Sequence, residues 1–192
     1  FKGGIKTIVW TDTLQTICML LAVVLTIIAI SRSMDLSISE LWVSVDERNL
    51  NQIFFFRGGW SDPNNFFKQV LSGALITIVM TGLDQDMMQK NLSCRNIREA
   101  KKNMYTFSII LVFANFLFLF LGSLLYVYAE SNGVGIPSRT DQLYPVIALD
   151  YLGPVIGVVF ILGLTAAAYS SADSALTALT TSFCVDFLGM TS

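Results

Sequence analysis

The sequence predicts an all-α membrane protein with four membrane-spanning helices. Hydrophobic residues make up 54% of the chain and charged residues only 14%, and the mean hydropathy is +0.63. This composition is typical of a membrane protein and not of a soluble core. Four apolar stretches are long enough for the roughly 20 residues that a bilayer span requires. We place the spans at about residues 5–30, 65–92, 104–128 and 153–187.

The composition also argues against several classes of function. The chain has no His, the residue that serves most often as general base and metal ligand. Its net charge is −2, and no basic patch with interleaved aromatic residues indicates nucleic-acid binding. The three Cys are scattered and odd in number, which favours free thiols over a disulfide or zinc framework. We therefore expect no enzyme, no cofactor and no nucleic-acid partner.

The first span, residues 5–30, contains an ionisable residue. Asp12 lies inside the apolar stretch, with Gln15 and Thr16 one turn further on. A carboxylate within a membrane span is by default a candidate for a functional site. Alternatively, Asp12 lies near the lipid headgroups or pairs with Lys2 or Lys6. Both interpretations remain open at this stage.

Residues 31–64 are predicted to form an outer connection with a short surface helix. The stretch is mixed and charged, and Gly58, Gly59 and Pro63 interrupt it. Its aromatic residues, with Trp42 and Trp60 at the two ends, are typical of anchors at the membrane interface. Covering a substrate entrance is the alternative role for this segment.

The second span, residues 65–92, carries small and hydroxyl residues before a glycine. Thr77 and Gly82 precede Asp84 and Asp86, a pattern that favours a kinked or interrupted helix whose freed carbonyls line a cavity. Alternatively, the helix is straight and its last two turns emerge from the membrane. We expect a solvated Asp86 and leave Asp84 open.

The connection at residues 93–103 fixes the predicted orientation. Five basic residues cluster in and just before this connection against a single Glu99: Lys90, Arg95, Arg98, Lys101 and Lys102. Such clusters mark the cytoplasmic side of a membrane protein. The third span, residues 104–128, then leads outwards to a second outer connection at 129–152, where we expect a short helix at the outer mouth.

The fourth span, residues 153–187, has one face of small and oxygen-bearing side chains. Helical spacing places six residues there: Gly163, Ala167, Ser170, Ser171, Ser174 and Ala178. Small residues at this spacing let membrane helices approach closely, and buried Ser often bonds its own backbone. However, Asp173 lies in the same turn, and hydroxyl, carbonyl and carboxylate oxygens are the ligands of small hard cations. A cation site is at least as well supported as a packing seam.

The polar faces of the four spans predict partners outside this chain. Asp12, Asp173 and the hydroxyl face of the fourth span need burial against other helices. The chain also begins without Met. We therefore interpret residues 1–192 as a fragment of one transmembrane domain, surrounded by lipid bilayer and by missing helices of the same protein.

Three motifs together resemble the sodium/solute symporter family, which includes sodium/glucose, sodium/proline and sodium/sialic acid cotransporters. They are GGIKTIVWTDTLQT, GLDQDMMQKNL and AAAYSSADSALTALTTSFCVDF, and they occur in the family's order across essentially the whole chain. The resemblance implies a leucine-transporter-type bundle of two inverted repeats, of which these spans are core helices five to eight. It also implies sodium-coupled symport of a small organic solute across the plasma or bacterial inner membrane by alternating access.

The resemblance further implies a principal sodium site and a candidate for a second sodium or coupling site. The principal sodium is bound by the Ala167 carbonyl and by the hydroxyls of Ser170 and Ser171. A second site, present in some members, matches Asp12 and Ser174. Asp173 stands where some relatives carry Ser, so this chain departs from their pattern at the second site.

The second span is implied to contribute substrate or gate residues. The candidates are Thr77, Met80, Thr81, Asp84 and Gln85. Met80 and Thr81 stand where the sugar carriers have an aromatic pair, which argues against a sugar pocket of the same design. Two other classes of function stay open: a membrane sensor built on a symporter-like bundle, and a structural membrane subunit.

Overall fold

A computed structural model of the chain describes residues 4–56 and 59–189, and its regular elements in these ranges are all helical. The α-helices are α1 (Gly4–Ser33), α2 (Ile38–Glu47), α3 (Phe66–Leu83), α4 (Gln85–Leu92), α5 (Ile97–Ser131), α6 (Leu143–Val146) and α7 (Pro154–Ser182). A 3-10 turn at Thr140–Gln142 and π turns at Ile147–Tyr151 and Phe183–Phe187 complete them. The all-α prediction is confirmed.

Among the described residues, three helices are long and apolar enough to cross a membrane. They are Trp10–Ser33, Ile97–Ser131 and Pro154–Val185, with mean hydropathies of 2.4, 2.4 and 1.9. The apolar helix at the second predicted span is shorter, Phe66–Met80. By length and composition, the structure therefore supports three of the predicted spans directly.

The second predicted span is interrupted at Asp84. This residue has extended backbone angles, with φ −75° and ψ 120°, between the end of α3 and the start of α4. The backbone carbonyl of Asp84 accepts a hydrogen bond from the Met88 N–H at 3.0 Å, and its carboxylate accepts one from the Met87 N–H at 3.5 Å. Asp84 thus caps the polar helix α4, and the interrupted alternative describes this segment.

Helix α5 begins before the residue at which we placed the third span. Residues 97–103, predicted as part of a loop, are helical. The cause is Asn96, whose side-chain oxygen accepts a hydrogen bond from the Glu99 N–H at 2.9 Å, an arrangement typical of a helix N-cap. The basic residues that follow favour helix and are exposed.

The chain forms two compact units. One comprises the chain up to Asn51 together with Ser108–Ser170, and the other comprises Gln52–Phe107 together with the chain from Ser171. In the second unit, the rings of Phe54, Phe56, Phe66 and Phe67 cluster around the start of α3, with centroids 5.0–6.2 Å apart.

The core of the first unit forms where α1, α2 and α5 meet. Its buried members are Val23, Ile27, Ile30, Leu41, Val45, Leu121, Leu124, Leu125, Val127, Tyr128, Ala129, Val134, Leu143 and Ile147. This core fixes the part of α1 that follows Asp12 against its neighbours.

Helix α2 is the short surface helix expected in residues 31–64. A capping box starts it, with Ser37 and Glu40 bonded reciprocally. The hydrogen bonds from the Ser37 hydroxyl and backbone N–H lower the pKa of the Glu40 carboxyl. Leu41 and Val45 are buried in the core, and Arg48 forms an ion pair with Glu130 of α5 at 2.5 Å. The helix is therefore packed on α5 and not merely solvated.

Truncation of Leu41 tests this packing. Leu41 is 0% exposed and Val43, on the same helix, is 52% exposed. We expect Leu41→Ala to lower the free energy of unfolding by about 2–5 kcal/mol, because it leaves a cavity in the core. Val43→Ala should change it by less than about 0.5 kcal/mol. Thermal unfolding of the complete protein in detergent measures both, and equal effects would contradict the assigned core.

Candidate functional site

The candidate site lies between α1 and α7 in the first unit. The hydroxyl of Ser170 donates a hydrogen bond to the Asp12 carboxylate, with 3.4 Å between Oγ and Oδ1. Both residues are half-buried. The Ser170 hydroxyl is thus directed to a carboxylate on another helix and not to its own backbone. Two residues that the sequence nominated separately are brought together.

A glycine allows the two helices to approach at this site. Gly163 is buried on α7, and a Cβ at this position would lie 2.8 Å from the Ala22 Cβ and 3.7 Å from the Met19 Cα of α1. Only a residue without a side chain fits such a contact without displacing the neighbouring helix. The small face thus provides a close helix contact at Gly163. About two turns later, at Ser170, it provides a hydroxyl that bonds a carboxylate of α1.

Next to the Gly163 contact, the first unit has an apolar cavity of about 190 Å³ that is partly open to the surface. Its lining residues are Met19, Ala22, Val23, Phe118, Tyr144, Phe160, Gly163, Leu164 and Ala167. Ala167 is one turn before Ser170 on α7, so the cavity adjoins the Asp12–Ser170 contact. An apolar wall of this kind lowers the local dielectric and strengthens interactions between the nearby charges and dipoles.

Gln15 adds an oxygen atom that sequence reasoning did not include among the candidates. It follows Asp12 by one turn on α1, and its side-chain carbonyl oxygen is buried without a hydrogen-bond partner among the described residues. The Thr16 hydroxyl, by contrast, donates to the Asp12 backbone carbonyl at 2.8 Å. The spacing of Asp12 and Gln15, three residues apart, was the sequence signal for this position.

The other hydroxyl and carboxylate candidates of α7 belong to the second unit. Ser171 is exposed, whereas Asp173 and Ser174 are half-buried. Helical spacing places Ser174 one turn after Ser170 and Ser171, on the same face. Asp173 lies beside that face.

The substrate or gate candidates also lie in the second unit. The Thr77 hydroxyl donates to the Gly73 carbonyl at 2.8 Å, so its proton is used within α3. Met80 is 58% exposed, and Asp84 caps α4 as described above. The side chains of Thr81 and Gln85 lie outside the described residues.

This architecture defines an integral membrane protein that pairs carboxylate and hydroxyl oxygens between two apolar helices. A model of the sodium:solute symporter family matches residues 1–189. The chain belongs to that family, and the resemblance noted in its motifs is confirmed.

Several curated relatives are similar over nearly the whole chain. The sodium/sialic acid symporter SiaT of Proteus mirabilis is 27% identical over 95% of this chain and 37% of its own length. Sodium-coupled monocarboxylate transporter 2 of Danio rerio is 25% identical over 97% of this chain and 30% of its own. The sodium/sialic acid symporter NanT of Aliivibrio fischeri is 24% identical, over 97% and 37%. The chain thus spans about a third of the length of these relatives. No solved structure matches the chain.

Proposed function

We propose that the chain is part of a transporter that couples the uptake of a small organic solute to sodium by alternating access. The observation that carries this proposal is the hydrogen bond between Ser170 of α7 and Asp12 of α1. It places a carboxylate and a hydroxyl, two oxygen ligands suited to a small hard cation, beside an apolar cavity. The sodium-coupled relatives support the same function.

In this proposal the principal sodium binds to α7 at the adjacent hydroxyls of Ser170 and Ser171. The hydroxyls of Ser170 and Ser171 act as ligands, together with the Ala167 carbonyl. Hydroxyl and carbonyl oxygens are ligands suited to a small hard cation. A second coupling site uses Asp12 with Ser174 and Asp173, and the carboxylates there offset the charge of the ion.

The proposed architecture has four spans within a leucine-transporter-type bundle of inverted repeats. Helix α3 acts as the remaining span, and it ends at Asp84. Interrupted helices of this kind line cavities in transporters. Thr77, Met80, Thr81, Asp84 and Gln85 of this segment are our candidates for substrate contact or gating. Helices of the complete protein and lipid cover the exposed apolar faces.

Coupling in this scheme is thermodynamic linkage between two ligands and involves no chemical step. Sodium favours the arrangement in which the solute site forms, and the solute favours sodium binding by the same factor. Each charge that moves through 100 mV gains about 2.3 kcal/mol. Because 1.36 kcal/mol is a factor of ten, one sodium at this potential supports about 50-fold accumulation of solute.

Sodium-dependent uptake by the complete protein in proteoliposomes tests this function. The panel is sialic acids and monocarboxylates, which the names of the relatives suggest, together with sugars and amino acids. Uptake of at least one class should require an inward sodium gradient. Solute binding without uptake would instead indicate a sensor. The absence of sodium-dependent binding and uptake for every solute of the panel would indicate a structural subunit.

Ser171→Ala is expected to raise the sodium concentration for half-maximal uptake by about tenfold, because one hydroxyl ligand is lost. The matched control is Ser123→Ala, since the Ser123 hydroxyl donates to the Leu119 carbonyl of its own helix at 3.2 Å. Sodium titration of initial uptake rates measures both variants. An unchanged titration for Ser171→Ala would remove Ser171 from the proposed ligands.

A further inference from the structure

A hydrogen bond joins α1 to the connection between α5 and α7. Thr26 of α1 is 0% exposed, and its hydroxyl lies 2.8 Å from the Tyr144 hydroxyl of α6. Tyr144 is half-buried. The hydrogen bond fixes the geometry of the elements it joins, because the fully buried Thr26 hydroxyl has no water as an alternative partner.

The direction of this hydrogen bond follows from the single proton that the Thr26 hydroxyl can donate. The Thr26 hydroxyl donates to the Ala22 carbonyl at 2.8 Å, and a threonine hydroxyl has a single proton. Tyr144 must therefore donate to Thr26. The result is a chain of two hydrogen bonds from Tyr144 through Thr26 to the backbone at Ala22.

This chain of hydrogen bonds ends at the contact between Ala22 of α1 and Gly163 of α7. Ala22 is the residue whose methyl group leaves no room for a Cβ at Gly163. On the other side, the Tyr144 ring packs edge-on against Phe160 of α7, with 4.7 Å between ring centroids. Tyr144 therefore contacts both of the helices that carry Asp12 and Ser170.

We propose that Thr26 and Tyr144 are positioning residues that hold α1 and α7 in the geometry needed to bind the coupling ion. This inference rests on the proposed function, and it assigns a role in ion binding to two residues that are remote from the ion. Thr26 lies about 21 Å from Asp12 along α1, at 1.5 Å rise per residue, so it does not touch the ion. A site whose ligands come from two helices loses affinity when those helices are free to separate, since binding must then supply the lost order.

The Tyr144 phenol is suited to this role. Burial raises the pKa of its hydroxyl. A raised pKa favours the protonated form in the folded state. The phenol therefore remains a donor throughout the physiological range, and its stabilising contribution is lost only as the pH rises through its pKa.

The test compares Tyr144→Phe and Thr26→Val in the complete protein, reconstituted in proteoliposomes and titrated with sodium. Tyr144→Phe keeps the ring that packs on Phe160, and Thr26→Val keeps the volume of the side chain. We expect Tyr144→Phe to raise the sodium concentration for half-maximal uptake about fivefold, the effect of one hydrogen bond, with an unchanged maximal rate. Thr26→Val should raise it at least as much, because it also removes the hydrogen bond to the Ala22 carbonyl. The double variant should show the same shift as Thr26→Val alone, because Thr26→Val already removes the hydrogen bond with Tyr144.

Three controls make the outcome decisive. Tyr151→Phe alters a half-exposed tyrosine of the same connection and should leave the titration unchanged. Thr26→Ser keeps the hydroxyl and should keep the wild-type sodium affinity. This variant tests the role of the hydroxyl even if Thr26→Val does not fold. Wild-type uptake that depends on sodium, with unshifted or additive variants, overturns the positioning role alone. Wild-type uptake independent of sodium overturns the proposed function and this inference together.

Discussion

Asp12→Asn is expected to raise the sodium concentration for half-maximal uptake at least tenfold. The amide is nearly isosteric with the carboxylate and still accepts a hydrogen bond, so the contact with the Ser170 hydroxyl at 3.4 Å is retained. Only the negative charge is lost. Beside an apolar cavity, that charge interacts with a cation far more strongly than it would in water, and a tenfold loss corresponds to only about 1.4 kcal/mol.

The measurement is a sodium titration of initial uptake in proteoliposomes at fixed membrane potential. Asp35→Asn is the matched control, because Asp35 is exposed after the end of α1 and its φ of 56° suits asparagine. Asp35→Asn should leave the titration unchanged. If Asp12→Asn also leaves it unchanged, Asp12 has a structural role in joining α1 to α7 and is not a ligand.

The Asp12–Ser170 pair shows how far the sequence alone could go. A carboxylate in one span and a hydroxyl face in another each conflict with a lipid environment, so both could be nominated from composition and helical spacing. The resemblance to the family then implied sodium sites at both. Their contact, however, joins two helices at residues that are 158 positions apart in the chain. Helical periodicity does not determine how such distant helices pack.

Thr26 and Tyr144 show what the sequence could not predict. Thr26 is one threonine in an apolar stretch, where a hydrogen bond to the preceding turn is the ordinary expectation, and it does make that bond to Ala22. Its second partner is 118 residues away in the chain. The start of α5 and the break at Asp84 were missed or left open for a different reason, since single Asn and Asp side chains act as caps there.

Gly163→Ala is expected to destabilise the protein although alanine favours helix. In an exposed helix the substitution would gain about 1 kcal/mol from propensity. At Gly163 the new Cβ would lie 2.8 Å from the Ala22 Cβ, and neither atom belongs to a flexible side chain that can move aside. The helices must therefore separate, at a cost of about 1–3 kcal/mol for overpacking. Because Ser170 is on the displaced helix, sodium affinity should fall together with the thermal stability.

A size exchange across the contact distinguishes this mechanism from a general loss of stability. Ala22→Gly combined with Gly163→Ala moves the methyl group from α1 to α7 and should recover most of the stability and sodium affinity lost in the single variant. Gly122→Ala is the matched control, since a Cβ at this glycine of α5 meets no atom within 4 Å. We expect Gly122→Ala to be neutral or stabilising. If the exchange recovers nothing in thermal unfolding or in sodium titration, the approach of Ala22 to Gly163 does not determine the geometry of the Asp12–Ser170 site.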